Sequence, residues 1–405
     1  VIEDPVSILR RLPRSVRVLV FGHFVNRLGT FIVPYLALVM RREFHLSEPR
    51  VGLLMASYGA GTLVSILLGG HLSDRLGRRS AMILSLFGSG ALAIAMTFTS
   101  SLAVFVPLLL AMGFLADLYR PASAALISDS LSSRERAMGF AALRMAVNLG
   151  YAFGVALGGF LADWNFRLLF ALDGATTVLF GVIVYALIPE TRPLGEGEGG
   201  TRGQGSLADP VLFQITVAGF AACFVLSCFL TTLPLAVSIT AGYPARVYGG
   251  LVAMNGLTVG FCEVSVVSFL ARFRRLKVAA FGIMLLGVGF GLTGLVLHWA
   301  WFLFTVFLWT GGEILAMPQQ MSFVADWAPP EYRGRYLGFY QAAWSVGIIL
   351  NPLILFPLHA RLPEVAFWPL LLLIAIPASL LLLHIDRHFD RPDLLRGREE
   401  TALGA

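Results

Sequence analysis

Among the ionisable residues set within long apolar runs of this chain, six stand out: Arg27, Asp117, Arg120, Arg144, Glu263 and Glu313. A charge at the centre of a membrane helix costs about 2.5–3.5 kcal/mol on insertion scales, so each marks a place where a proton, an ion or a polar solute is handled. Glu313 follows Gly311 and Gly312 and has no basic residue near it in sequence. A carboxylate facing a partly dehydrated cavity can bind a proton and release it as access changes, and this chemistry puts Glu313 first as proton carrier. Glu263 and Asp117 follow in that ranking. Two structural alternatives stand beside it. Glu313 could be a protonated acid bonded to a neighbouring helix, and Asp117 and Arg120, three residues apart on one helical face, could simply pair with each other.

The residues that could contact a solute are Arg27, Tyr35, Arg120, Arg144, Asn148, Gln319, Gln341 and Trp344. They combine aromatic walls with a few polar anchors, the usual make-up of a small-molecule cavity. Asn148 with Arg144, and Gln341 with Trp344, recur at helical spacing. The acids suit a lipophilic cation; Arg27, Arg120 and Arg144 suit an anionic metabolite or lipid headgroup, and the sequence leaves that choice open. Motifs of membrane-embedded enzymes (HExxH, GxSxG, a Walker loop) do not occur. Cys223, Cys228 and Cys262 lie in apolar stretches without metal-ligand spacing and are expected to be small core residues, so no metal or cofactor is called for.

The elements that must hold these residues are membrane helices. With 57% hydrophobic and 13% charged residues in 405, and a mean hydropathy of +0.78, the chain belongs in a bilayer. Apolar segments of about 20 residues fall at 16–40, 49–71, 80–98, 102–128, 137–162 and 168–189. Six more fall at 210–240, 246–271, 278–297, 300–326, 336–358 and 364–385. The expected layout is a first six-helix bundle over 1–189, a linker over 190–209, a second bundle over 210–390 and a tail over 391–405. The linker contains Gly195-Glu196-Gly197-Glu198-Gly199-Gly200, a composition that cannot bury a core. Arginines before the first segment and after the second, fourth, eighth, tenth and twelfth put both termini in the cytoplasm, with Arg41, Arg42 and Arg50 as a local exception. The net charge of +6 is therefore read as topology rather than as a nucleic-acid surface.

Between the second and third segments lies Gly70-His71-Leu72-Ser73-Asp74-Arg75-Leu76-Gly77-Arg78-Arg79. Glycines at 70 and 77 allow a tight turn, and Asp74 can bond helix-end amides or arginines. This stretch strongly resembles the signature loop of the major facilitator superfamily of secondary transporters. A repeat agrees with it: Asp129 followed by Arg136-Ala137-Met138-Gly139-Phe140 returns as Asp326 followed by Arg335-Tyr336-Leu337-Gly338-Phe339. The signature has a second-half counterpart in Arg272-Phe273-Arg274-Arg275-Leu276-Lys277, which lacks the aspartate and both glycines and is expected to latch more weakly. The resemblance implies an all-α membrane fold of twelve helices in two pseudo-symmetric bundles around a central cavity that opens alternately to each side.

Within that superfamily the chain most resembles the twelve-span drug/proton antiporters. Asn26, eight positions before Pro34, stands where that group has an acid, which removes one protonation site. Gly150, Gly154 and Gly158 form a bare helix face for close packing and resemble the antiporter glycine motif, with Val155 where a proline is usual. The resemblance implies that Gly70, Asp74, Arg75, Gly77, Arg78 and Arg79, with Asp129, form a conformational latch. It also implies proton-coupled export of amphipathic compounds across a prokaryotic cytoplasmic (inner) membrane. The expected partners are a small-molecule substrate, protons and membrane lipids, with the chain working as a monomer. A carrier for one metabolite, sugar or lysolipid, and a non-transporting scaffold or receptor, are the alternatives.

Overall fold

The computed structural model describes residues 12–131, 133–190, 209–270, 272–329 and 332–388. The chain clusters into two compact units. The first is made by residues up to 202 together with Tyr243–Gly260, and the second by Gly203–Gly242 with everything from Phe261 on. Among the described residues all regular structure is helical, and eleven helices are long and apolar enough to cross a membrane. The predicted segment 246–271, not among those eleven, is one continuous helix, Ala245–Leu270.

In the first unit the helices are α1 (Arg14–Leu28), α2 (Ile32–Arg42), α3 (Glu48–Leu76), α4 (Arg78–Thr97), α5 (Leu102–Ala116), α6 (Tyr119–Ser130), α7 (Ser133–Trp164) and α8 (Phe166–Leu187). Local chemistry sets their ends. Pro49 sits in the first turn of α3, where its missing N–H costs nothing. Gly77 separates α3 from α4 with φ +99, a backbone that residues with a Cβ avoid. The Asn165 side chain accepts the Arg167 amide and starts α8. The predicted first segment is α1 plus α2, interrupted at residues 29–31, and the predicted fourth is α5 plus α6, interrupted at 117–118.

The interior follows helical periodicity. Along α1, Val16, Leu19, Val20, His23 and Asn26 are buried and join Met82, Leu86, Tyr119, Ile127 and Phe180 in one core. The exterior is as apolar as the interior: Leu67 is 70% exposed, Phe160 60% and Phe261 72%. A surface of that kind is solvated by lipid tails rather than by water. The face made by Gly150, Gly154 and Gly158 lies against α1 and α2. A Cβ on Gly150 would come within 2.7 Å of the Phe24 carbonyl oxygen, and one on Gly154 within 2.6 Å of that of Leu28. Removing side chains there lets the backbones touch.

The second unit holds α9 (Pro210–Leu226), α10 (Thr232–Leu235), the rest of α11 (Ala245–Leu270), α12 (Arg275–Leu292), α13 (Trp299–Trp327), α14 (Arg333–His359), α15 (Glu364–Phe367) and α16 (Pro369–His388). The predicted seventh segment is irregular in its middle. It passes from α9 through a 3₁₀ turn, Ser227–Phe229, to α10 and a π turn, Ala236–Thr240. The fully buried Asn351 of α14 meets this irregularity: its Nδ2 donates to the Phe224 carbonyl at 2.6 Å, and its Oδ1 accepts from Thr231 Oγ1 at 2.7 Å. Carbonyls freed where a membrane helix unwinds need such a partner, because no water reaches them. Cys223 and Cys228 are buried as expected; Cys262 is exposed, which corrects its reading as a core residue.

Candidate functional site

The first unit gathers a chain of polar side chains at the interruptions of its helices. Asp173, on α8, directs Oδ2 at the amides of Phe31 (3.1 Å) and Ile32 (3.0 Å), where α2 begins. Its Oδ1 meets Thr177 Oγ1 at 3.5 Å, and Thr177 in turn accepts Asn26 Nδ2 at 3.0 Å. Asn26 Oδ1 takes the Tyr119 hydroxyl at 3.2 Å, and Arg27 Nη2 approaches the same hydroxyl at 3.5 Å. One connected path therefore runs Asp173, Thr177, Asn26, Tyr119, Arg27. The Arg27 Nε is buried and makes no hydrogen bond. His23, one turn away on α1, pairs with Ser123 Oγ at 2.8 Å.

Asp117 occupies the interruption between α5 and α6. Its amide donates to Ser65 Oγ at 3.3 Å, and its Oδ2 lies 3.5 Å from Arg120 Nη1, so the pairing expected as an alternative is formed, from the interruption to the first turn of α6. Half of the Arg120 side chain is in solvent, and Arg144 is exposed. Asn148 is half-buried, one turn after Arg144 on α7. Tyr35 is fully buried, donates to the Val155 carbonyl at 2.6 Å and stacks edge-on with Tyr248. There it braces helix packing.

In the second unit Glu313 is half-buried on α13, beside Gly312, whose Cα packs on the α12 backbone so closely that a Cβ would lie 2.5 Å from the Leu286 amide. Glu263 is 9% exposed on α11. Gln319 and Gln320 are buried after Pro318, which interrupts the hydrogen-bond ladder of α13. Gln341 is exposed and Trp344 half-buried on α14, the latter against Tyr340.

At the arginine-rich end of the first unit, Arg78 Nε lies 3.4 Å from Asp129 Oδ2 and its Nη1 donates to Ser73 Oγ at 3.1 Å. The surroundings of Gly70 and the side chain of Asp74 lie outside the described residues, as do residues 191–208 of the linker and the tail; Arg75 is exposed. Arg79 is held from another side. Its Nη2 donates to the Tyr185 carbonyl at 2.6 Å and its guanidinium lies 4.8 Å from the Tyr185 ring centre. The Glu190 carboxylate accepts the amides of Arg79 and Ser80, both at 3.0 Å, and the Ser80 hydroxyl. An acid at the start of α4 answers both unpaired amides and the positive helix end. The second unit repeats this arrangement. Arg275 pairs with Asp326, and Arg274 pairs with Asp386 at 3.0 Å.

Asp173, Glu190 and Asp386 were missed in the sequence. Asp173 was findable, since it interrupts an apolar run as Glu313 does. Glu190 and Asp386 close their segments, where an acid passes for ordinary interface polarity.

Residues 19–389 match the profile of the Major Facilitator Superfamily. The chain belongs to that superfamily. It is a multi-pass membrane transporter, not an enzyme, with the all-α fold of that group. A Na(+), Li(+), K(+)/H(+) antiporter of Planococcus maritimus is 24% identical over 84% of this chain and 88% of its own length. The quinolone resistance protein NorA of Staphylococcus aureus is 25% identical over 44% of this chain and 46% of its own. Among solved structures, the peptide transporter POT in complex with sulfate superposes with a TM-score of 0.77 at 17% identity, covering 95% of this chain and 98% of that one. That last likeness is one of fold.

Proposed function

We propose that this transporter works by alternating access as a proton-coupled exporter of amphipathic small molecules in a prokaryotic cytoplasmic membrane, with both termini inside. The observation that carries the reading is the pairing of helix interruptions with ionisable side chains: Asp117 at the gap between α5 and α6, and Arg27, at the end of α1 just before its gap with α2, beside the hydroxyl of Tyr119, which opens α6. Packing alone would be served better by apolar residues, because a charge in the membrane interior is costly. A relative that exchanges cations for protons and another that confers quinolone resistance support the same reading.

Glu313 is the proton carrier in this proposal, with Glu263 and Asp117 as further proton-binding groups. Solute contacts come from Arg27, Arg120, Arg144 and Asn148 in the first unit and from Gln319, Gln341 and Trp344 in the second. The clusters around Arg78 and Asp129 open and close in each cycle, which suits exposed ion pairs worth about 0–1 kcal/mol. Glu313→Gln tests the assignment in proteoliposomes. The variant should fold and bind a fluorescent lipophilic cation but lose transport driven by a pH gradient. Undiminished pH-driven flux would remove Glu313 from the role.

A second reading has its own observation. The buried, unbonded Nε of Arg27 suits a solute with an acceptor or an anionic group. A carrier for one anionic metabolite would show saturable uptake of a single compound and indifference to lipophilic cations.

A further inference from the structure

The interruption of the first membrane segment at Gly29–Phe31 is held from two sides. On one, α7 sets Gly150 and Gly154 against the backbone at the end of α1, up to Leu28, and Gly158 against the side chains of Phe31 and Tyr35. On the other, α8 supplies Asp173, whose Oδ2 takes the amides of Phe31 and Ile32, and one turn further on Thr176, so close to Gly29 that a Cβ there would meet Thr176 Oγ1. The gap also has local bonds: the Gly29 amide donates to Val25 and Asn26, that of Thr30 to Arg27, and that of Phe31, besides Asp173, to the Gly29 carbonyl at 2.8 Å. Asp173 is thus the one side chain among the described residues that bonds the amides opening α2, and no ion pair involves it there.

We infer that Asp173 is a proton-operated pin on this hinge: ionised, it holds α2 to α8 through both amides, and protonated, it loosens that hold and lets α2 swing about residues 29–31 relative to α1. The inference deepens the proton-coupling reading above and rests on it for its role in transport. Its physical basis is that a carboxylate accepts hydrogen bonds from backbone amides much more strongly than a neutral acid does. In a lipid-solvated bundle no water replaces the bond that weakens, so the backbone must adjust. The proton it binds is passed along by no covalent step; it adds to one carboxylate oxygen and leaves again.

The charged and titratable groups around Asp173 are few. Arg27 on α1 and Tyr58 on α3 act on it electrostatically. His23 on α1 lies against Phe180 of α8, two turns along. On α2, Tyr35 is bonded to Val155 and Arg41 and Arg42 are at the far end. The only ionisable residues of α4 are Arg78 and Arg79 at its start. On α7 the described ones are Arg144, Tyr151 and Asp163, the last bonded to the Ala245 amide. Asp173 is a positioning residue here, acting through the backbone of α2.

The test reads the hinge directly. Spin labels at Arg14→Cys and Glu43→Cys, exposed positions at the free ends of α1 and α2, report the distance across the gap in a background with Cys262→Ser. Measured at about pH 5 and about pH 8 in nanodiscs, a range that crosses perturbed carboxylates and histidine, the distance should shift in the parent and lose its pH dependence in Asp173→Asn. An equal shift in Asp173→Asn, which leaves His23 to titrate, would overturn the inference, as would a parent without any shift. Should Asp173→Asn fail to fold, Thr177→Val, which removes the contact to Oδ1 together with the bond from Asn26, should move the midpoint of the distance change; an unmoved midpoint would also overturn it. Proton flux in vesicles separates the two proposals. No proton flux with a pH-sensitive hinge defeats proton coupling and leaves the pin standing, whereas intact proton flux with a pH-insensitive hinge defeats the pin alone.

Discussion

Arg275, in the first turn of α12, binds Asp326 at the end of α13, the same relationship that Arg78 has to Asp129 in the other unit. The repeat is physical rather than literal, since the aspartate and glycines of the signature loop have no counterpart around Arg275. What both copies keep is an arginine opening one helix and an acid closing the neighbouring one. Both Asp129 and Asp326 are half in solvent, so each pair is weak and easily broken.

Charge exchange should reveal that weakness as a dynamic function. Arg275→Asp is expected to change the unfolding free energy by about 1 kcal/mol or less while lowering transport, and adding Asp326→Arg should restore much of the rate. Thermal unfolding and initial transport rates of the single and double variants check this. A large fall in stability from the single change, or no recovery in the double, would show that the pair is a static brace.

Arg274 and Asp386 behave differently, because Asp386 is fully buried while its partner is half exposed. Arg274→Ala strands a carboxylate inside the second unit. The loss should be about 2–3 kcal/mol, at or below the low end for broken buried pairs because part of Arg274 already sits in water. Denaturation in detergent measures it, and Arg274→Ala with Asp386→Leu should recover most of the stability.

The glycine face of α7 leaves no room for side chains. Gly154→Ala sets a methyl group against the Leu28 carbonyl and should destabilise the first unit by about 1–3 kcal/mol. Gly338→Ala, in α14, has no atom within 4 Å of the new Cβ and is expected to be neutral or slightly stabilising. Melting temperatures of the two purified variants should therefore move differently; equal behaviour would contradict the close packing.

Asp209 illustrates how much of this architecture a sequence can show. Its place before Pro210 is a readable helix start, and its Oδ1 does accept the Val211 and Leu212 amides. That its Oδ2 also takes Trp327 Nε1 and the Tyr336 hydroxyl, tying α9 to α13 and α14, depends on folding and leaves no local trace. The membrane segments were legible for the same reason as the helix start: twenty apolar residues in a row have one stable fate in a bilayer. The interruptions at Gly29–Phe31 and Asp117–Leu118 were not: a single glycine such as Gly29 is common inside unbroken membrane helices, and Leu118 carries no helix-breaking chemistry at all. Asp173 defines the first of them from another helix, 142 residues away from Phe31. Tyr35, a polar aromatic that reads as a cavity wall, is bonded to the Val155 carbonyl of a packed helix, a contact that no local pattern announces.

The central claim, that solute export is driven by proton entry, is tested most directly by recording both fluxes in one set of proteoliposomes. A pH-sensitive dye and a fluorescent lipophilic cation report them together under an imposed pH gradient. The account predicts that the cation moves against the proton, that reversing the gradient reverses it, and that Glu313→Gln stops both signals. Cation movement that proceeds at the same rate with no proton gradient and leaves the internal pH unchanged would contradict it.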